Sequence, residues 1–130
     1  MKIVLTHEES EKFFYEALCN GSVLASCGVQ CSVSGDDNYR KAKERLMEKR
    51  DGRAVSFEDV WMEALRGGAK LQINDDNNPG KPLFITLGHV HERVQHSPYQ
   101  SLIEMEAGED DADTASNILQ TVFFGEVIYG

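Results

Sequence analysis

Hydrophobic positions recur along this chain at two spacings, which predict helices and short strands. The clearest helical stripe follows i, i+3, i+4, i+7 and i+8 and comprises Phe57, Val60, Trp61, Ala64 and Leu65. Trp61 lies in the middle of this stripe and is expected to pack in the core. By contrast, "VQCSVS" alternates residue by residue and predicts a half-buried strand. The runs "KLQIND" and "PLFITL" surround the turn-forming "DNNPGK" and predict a hairpin.

Capping residues predict where the helices begin and end. Thr6 and Glu9 match a capping box, and so do Ser56 and Asp59. Further helix starts are indicated at Asp36-Asp37, Pro98 and about Asp111. "KIVLT" predicts a first strand, and "SVLAS" a strand paired with "VQCSVS". Together these elements predict a single α+β domain over residues 1–130, with about five helices and a largely antiparallel sheet of four to five strands.

The last helix raises a question about a carboxylate. Its apolar stripe comprises Ala115, Ile118, Leu119 and Val122, and Glu126 falls on the same face. Either the helix ends near Gly125, or Glu126 reaches an apolar surface, needs a partner and has a raised pKa. The first alternative is favoured, with "EVIYG" as an extended or packed tail. Apolar side chains lie on all sides of this C-terminal segment, which is consistent with its burial in a homo-oligomer interface.

Three of the four histidines lie in "GHVHERVQH": His89, His91 and His96. On a helix from Leu87 to His96, His91 edges the apolar arc, whereas His89 and His96 share the opposite arc with Arg93. The three rings therefore cannot converge on one metal ion, and an ordinary amphipathic helix is predicted, with His91 hydrogen-bonded. A strand continuing through Gly88 is the alternative; it would put His89 and His91 on one side.

Composition narrows the functional classes. The chain has 130 residues and three cysteines but no CxxC motif, which fits a reducing, cytoplasmic setting. No apolar run approaches the ~20 residues of a membrane span, and the N-terminal stretch does not match a signal peptide. Phosphate-loop, nucleophile-elbow and calcium-loop patterns are lacking as well. No catalytic residue, cofactor or metal ligand is therefore assigned.

Charge is distributed unevenly along the chain, whose formal net charge is −9. Seven basic residues lie between Arg40 and Arg53, interleaved with or flanked by acids, and no Lys or Arg follows Arg93. The acidic segment comprises Glu104, Glu106, Glu109, Asp110, Asp111 and Asp113. Such a surface repels nucleic acid and attracts basic proteins, although acids also serve simply as a solvated surface.

These observations lead to a non-catalytic interaction protein as the principal hypothesis, with the acidic segment binding a basic partner protein. Mimicry of nucleic-acid charge is its sharper form. The alternative is a small enzyme or metal-binding protein that uses His91 with a cysteine or Glu126. Direct nucleic-acid binding through the Arg40–Arg53 helix is disfavoured by the interleaved acids and the net charge.

The C-terminal part of the chain carries a resemblance. "GHVHERVQ" and "DADTASNILQTVFFGEVIYG" resemble stretches in uncharacterised short proteins of bacteriophages and mobile elements of gut bacteria. The resemblance covers roughly residues 56–130. It implies a small, cytoplasmic and phage-encoded protein, and it implies no activity and no functional residue.

Overall fold

The structure, a computed structural model, describes residues 3–129, without the side chains of Ser22 and Val23. It has α+β architecture, as predicted, but three strands and seven α-helices in that range, so the expected four to five strands and about five helices are wrong in number. In chain order the elements are α1 (His7–Cys19), α2 (Ser22–Ser26), β1 (Val29–Val33), α3 (Asn38–Lys49), α4 (Phe57–Arg66), β2 (Leu71–Asp75), β3 (Leu83–Ile85), α5 (Leu87–Arg93), a 3-10 turn (Val94–His96), α6 (Tyr99–Glu106) and α7 (Ala112–Phe124).

The three strands form one antiparallel sheet in the order β1-β2-β3. The predicted hairpin is confirmed as β2 and β3, and β1 pairs along the other edge of β2, with Cys31 opposite Ile73. Ile73 is buried, while Gln30 and Asn74 on the opposite face are exposed. The alternation that predicted β1 therefore reflects a sheet with one face against the helices and one face in solvent.

Two predicted strands are wrong. "SVLAS" forms α2, in which the N–H of Cys27 donates to the carbonyl of Leu24 and the Leu24 side chain is buried. Such a short run has too little periodicity to distinguish a strand from one turn of helix. In "KIVLT", residues 3–5 form no strand, and Lys2 lies outside the described residues. There the N–H of Leu5 donates to the Gln95 side chain (3.1 Å) instead of to a neighbouring strand.

Helix boundaries follow the capping residues closely. Both predicted capping boxes are present, at Thr6 for α1 and at Ser56 for α4. Asp111 caps α7 by accepting from the N–H of Thr114 at 2.8 Å. Gly125 ends α7 with a φ of 85°, a left-handed conformation that favours glycine. The predicted helix end is thereby confirmed, and Glu126 lies beyond it with an exposed side chain.

The interior is divided into a large and a small apolar cluster. The large cluster joins α1, α7 and the inner face of the sheet, with Phe14, Ile73 and Ile118 among its fully buried members. The small cluster lies between α3 and α4 and comprises Ala42, Leu46, Val60 and Ala64. α4 therefore contributes to both clusters, with Met62 and Leu65 in the large one, and connects the basic helix α3 to the rest of the fold.

Candidate functional site

The acidic segment spans the end of α6, the following loop and the start of α7. Three of its carboxylates have partners within the chain. Glu104 accepts from the Thr114 hydroxyl at 2.6 Å, and Asp110 accepts from the Asn20 side chain. Asp111 caps α7, and its hydrogen bonds with Thr114 hold the pKa of that carboxyl below its usual range. These three side chains therefore stabilise the loop in addition to contributing negative charge.

The other three carboxylates of the segment, on Glu106, Glu109 and Asp113, are exposed. Within residues 3–129 their side chains form no ion pair and no hydrogen bond. Glu106 and Glu109 also lie at the carboxyl end of α6, whose last turn has no basic residue. Since that end of a helix carries partial negative charge, two further carboxylates there add to the local negative potential.

Four of the seven basic residues between Arg40 and Arg53 form ion pairs within residues 3–129. The ion pairs link Arg40 to Asp37 and Glu44, Arg45 and Lys49 to Glu63, and Arg50 to Asp59. The Lys49 and Arg50 pairs both have N···O distances of 3.0 Å and join α3 to α4. The interleaved acids thus reduce the positive potential of this helix, and its cations hold the α3–α4 pair together.

His91 lies in a polar contact between helices. Its Nε2 is 2.9 Å from Glu11 Oε2, and Glu11 Oε1 accepts from Arg66 Nε at 2.8 Å. The His7 ring stacks on His91, with centroids 3.9 Å apart. Burial raises the pKa of Glu11, but the hydrogen bonds from His91 and Arg66 outweigh burial and lower it. The hydrogen-bonded role predicted for His91 is confirmed, with Glu11 as its partner.

The other two histidines of "GHVHERVQH" have different surroundings. His89 Nδ1 accepts from the N–H of Thr86 at 3.0 Å and helps to cap α5. His96 is exposed in the 3-10 turn. The three rings do not meet, and residues 3–129 contain no group of three or more His, Cys, Asp or Glu side chains placed to hold a metal ion.

A cleft of about 590 Å³ lies between the helices and one edge of the sheet, and sequence reasoning missed it. The end of α1, α2, β1, the start of α4 and α7 all contribute to its wall. Its lining, called the apolar cleft below, comprises Leu18, Cys19, Gly21, Leu24, Ala25, Val29, Gln30, Cys31, Phe57, Glu58, Trp61, Leu119 and Phe123. Its volume and mainly apolar lining are typical of sites for small molecules.

Aromatic rings and a few polar groups give the cleft its chemistry. Phe57 and Trp61 meet edge to face with centroids 4.9 Å apart, and Phe57 is 48% exposed. Trp61 packs against the core, as predicted, yet it also lines the cleft. Burial raises the pKa of the Cys31 thiol to about 12, so this lining residue is uncharged at neutral pH. Among the described lining residues, Gln30, Glu58 and the two cysteines carry polar or ionisable groups.

A close approach of two helices shapes the floor of the cleft. A Cβ atom at Gly21 would lie 2.6 Å from the Leu119 Cδ1 atom, which is closer than Cβ atoms come to other heavy atoms in proteins. Glycine therefore lets the corner between α1 and α2 rest directly on α7. Asn20, the neighbour of Gly21, holds Asp110, so the acidic segment borders the same corner.

No family model matches this chain, and neither a curated protein nor a solved structure matches it. Function therefore has to be inferred from the residues themselves. None of the helices within residues 3–129 combines the length and the apolar character needed to cross a membrane.

Proposed function

We propose that this protein is a non-catalytic interaction protein whose acidic segment binds a basic partner protein. The observation that supports this most directly is that the side chains of Glu106, Glu109 and Asp113 are exposed and form no ion pair with another described residue. Acidic surfaces of this kind steer basic partners and contribute to the rate and specificity of association.

The placement of these acids has a cost for the free protein. Glu106 and Glu109 lie near the negative end of the α6 dipole, and charges of the wrong sign at a helix end cost roughly 0.3–1 kcal/mol each at low ionic strength. A Lys or Arg at either position would relieve that repulsion. These acids lower the stability of the free protein and have no internal partner. Their placement is consistent with selection for binding a cationic surface.

A pair of variants with equal charge tests the proposal. The variant E106Q/E109Q/D113N removes the three unpaired acids, and the control D36N/E48Q/D51N removes three exposed acids around α3. Both change the net charge from −9 to −6. The probe is a peptide of alternating lysine and alanine, titrated at low and at high salt by calorimetry.

We expect the first variant to bind this peptide roughly tenfold more weakly at low salt, with a flatter salt dependence, because three exposed charge contacts are lost. The control variant should retain the affinity of the parent protein. Equal losses in the two variants would mean that only net charge matters, and would refute a specific acidic segment. Pull-down of a basic protein from a nuclease-treated lysate, lost in the first variant alone, would then name a partner.

Location and assembly belong to the same proposal. The three cysteines are unpaired, which is consistent with a reducing compartment such as the cytoplasm. In the C-terminal segment, Val127 and Ile128 are 38% and 46% exposed. We therefore expect the chain to self-associate through this segment. Light scattering coupled to size-exclusion chromatography measures it directly, and a strict monomer at high concentration would refute it.

A further inference from the structure

We propose that the apolar cleft binds a small organic cation, with an aromatic or branched aliphatic body carrying one ammonium group. The body would occupy the space between Leu24, Trp61 and Phe123, and the ammonium group would lie beside Glu58 at the edge of the cleft. This site is separate from the exposed carboxylates of the acidic segment, and its ligand does not need them.

The body of the ligand is defined by the shape and polarity of the cleft. Leu18, Leu24, Val29, Leu119 and Phe123 supply an apolar lining, and all five are themselves well buried. Removal of apolar ligand surface from water is favourable in such a site. A compact hydrocarbon or aromatic group therefore fits, whereas a sugar or a nucleotide phosphate would lose hydration without finding hydrogen-bond partners.

The charge of the ligand is defined by the single ionisable acid in the wall. No lysine or arginine is among the described residues that line the cleft. The Glu58 side chain accepts no hydrogen bond and forms no ion pair within residues 3–129, so its carboxylate is free to take one. Beside it, burial raises the pKa of Cys19, and the charges of Glu58, Asp59 and Glu16 raise it further. The carboxylates of Glu58, Asp59 and Glu16 thus lie near Cys19, and their negative charge favours a cation there.

Aromatic rings add a second reason to expect a cation. Trp61 and Phe57 form an edge-to-face pair. They are close to Glu58 in sequence, and all three residues line the apolar cleft. A cation within about 6 Å of the face of such a ring is attracted by the ring quadrupole. A carboxylate next to an aromatic pair is a combination that recognises organic ammonium groups better than neutral or anionic groups of the same shape.

Three probes of one shape and different charge test the inference: 4-phenylbutylamine, 4-phenylbutanol and 4-phenylbutyrate. Trp61 is the only tryptophan of the chain, so its fluorescence reports occupancy of the cleft without interference. We expect the amine to bind roughly three- to fivefold more tightly than the alcohol, as for a partly exposed ion pair, and the acid to bind most weakly. Amide chemical shifts of Leu24 and Gln30 should move during the same titrations.

Two substitutions assign the binding to the cleft. E58Q should remove the preference for the amine over the alcohol while the affinity for the alcohol stays the same. E8Q is its control, because Glu8 has the equivalent place in the first turn of α1 and also changes the net charge by one. A25F should abolish binding of all three probes, since Ala25 is exposed at the cleft and a larger side chain there fills it without replacing a core residue.

The outcomes separate the parts of the inference. A preference for the amine that persists in E58Q would overturn the role of Glu58. Equal affinity for the amine and the acid would overturn the choice of a cation. Binding that survives in A25F, with the amide spectrum otherwise unchanged, would place the probe elsewhere. If none of the probes changes Trp61 fluorescence or the amide shifts, the cleft is not a small-molecule site.

Discussion

The side-chain amide of Gln120 holds the backbone of Tyr129 from both directions. Gln120 Oε1 accepts from the N–H of Tyr129 at 2.7 Å, and its Nε2 donates to the carbonyl of Tyr129 at 3.1 Å. The same oxygen accepts from the N–H of Ile128 at 2.8 Å. Because Gln120 is 1% exposed, one buried amide fixes the C-terminal segment against α7.

The first prediction concerns this contact. Q120L keeps the approximate size of the side chain but removes its hydrogen bonds, and we expect the free energy of unfolding to fall by about 1–3 kcal/mol. Hydrogen exchange at the amides of Ile128 and Tyr129 should become faster. Gln100 is exposed and bonds only to Glu104, so Q100L is the control and should change stability little. Unchanged exchange at both amides in Q120L would contradict the contact.

A second prediction follows from Tyr129 and Asp75. The Tyr129 hydroxyl donates to Asp75 Oδ2 at 2.5 Å, and this bond, followed by bonds from Asn77, lowers the pKa of Asp75 below its usual range. A lowered pKa in the folded state gives stability that is present above about pH 4 and is lost as the pH falls through the folded value. Y129F should therefore be less stable than the parent at pH 7, and the difference should shrink on acidification. Urea denaturation at neutral and acidic pH measures it; a difference that grows at low pH would refute the bond.

A third prediction concerns Asp59. Burial raises its pKa, but hydrogen bonds from Tyr15, Arg50 and Ser56 outweigh burial and lower the pKa to about 2. Its contribution is therefore complete above the unfolded pKa near 4 and is lost between about pH 4 and pH 2. D59N should cost about 1 kcal/mol at pH 7, from the cap and the Arg50 pair, and this cost should shrink steadily as the pH falls from about 4 to 2. D36N, at an exposed acid, should have no such effect at either pH.

The thiols give a fourth prediction. Cys19 is exposed, whereas Cys31 is partly buried in the sheet with its pKa raised to about 12. Because the thiolate is the reactive form, iodoacetamide at neutral pH should leave Cys31 unmodified in the folded protein. Cys19 should react, but more slowly than a free thiol, because burial and neighbouring carboxylates raise its pKa as well. Mass spectrometry after proteolysis assigns the sites, and early labelling of Cys31 would contradict its burial.

Most of the fold could be predicted because its boundaries are encoded locally. Thr6 with Glu9 and Ser56 with Asp59 satisfy helix N-termini within one turn, so the residues that mark each start also stabilise it. Leu24 and Leu5 lie in runs too short for periodicity to decide their structure. Their conformations depend on α7 and on Gln95, which are distant in sequence, and only the folded chain brings these partners together.

The candidate sites also differ in how far the sequence could predict them. The acidic segment is contiguous, so its charge could be predicted, but the division of its acids into bonded and free ones depends on Asn20 and Thr114. His91 and Glu11 are 80 residues apart, and no spacing rule pairs them. The apolar cleft is assembled from five elements. The one local pattern that indicated part of its lining is the pair Phe57 and Trp61, at the edge of the apolar stripe of α4.

The separation of the two apolar clusters has a consequence for dynamics. The buried residues of α3 are Ala42 and Leu46, and both lie in the small cluster with α4. Once its ion pairs to Glu63 and Asp59 are broken, detachment of α3 therefore exposes far less apolar surface than global unfolding. We expect α3 amides to exchange with solvent through a local opening of lower free energy than that of α1 and α7. Because E63Q removes the ion pairs to Arg45 and Lys49, it should speed exchange in α3 and leave exchange in α7 unchanged. The basic helix α3 would then detach locally while the rest of the fold stays intact. On detachment, Arg45, Lys49 and Arg50 would lose their partners Glu63 and Asp59, and their positive charges would become exposed to solvent.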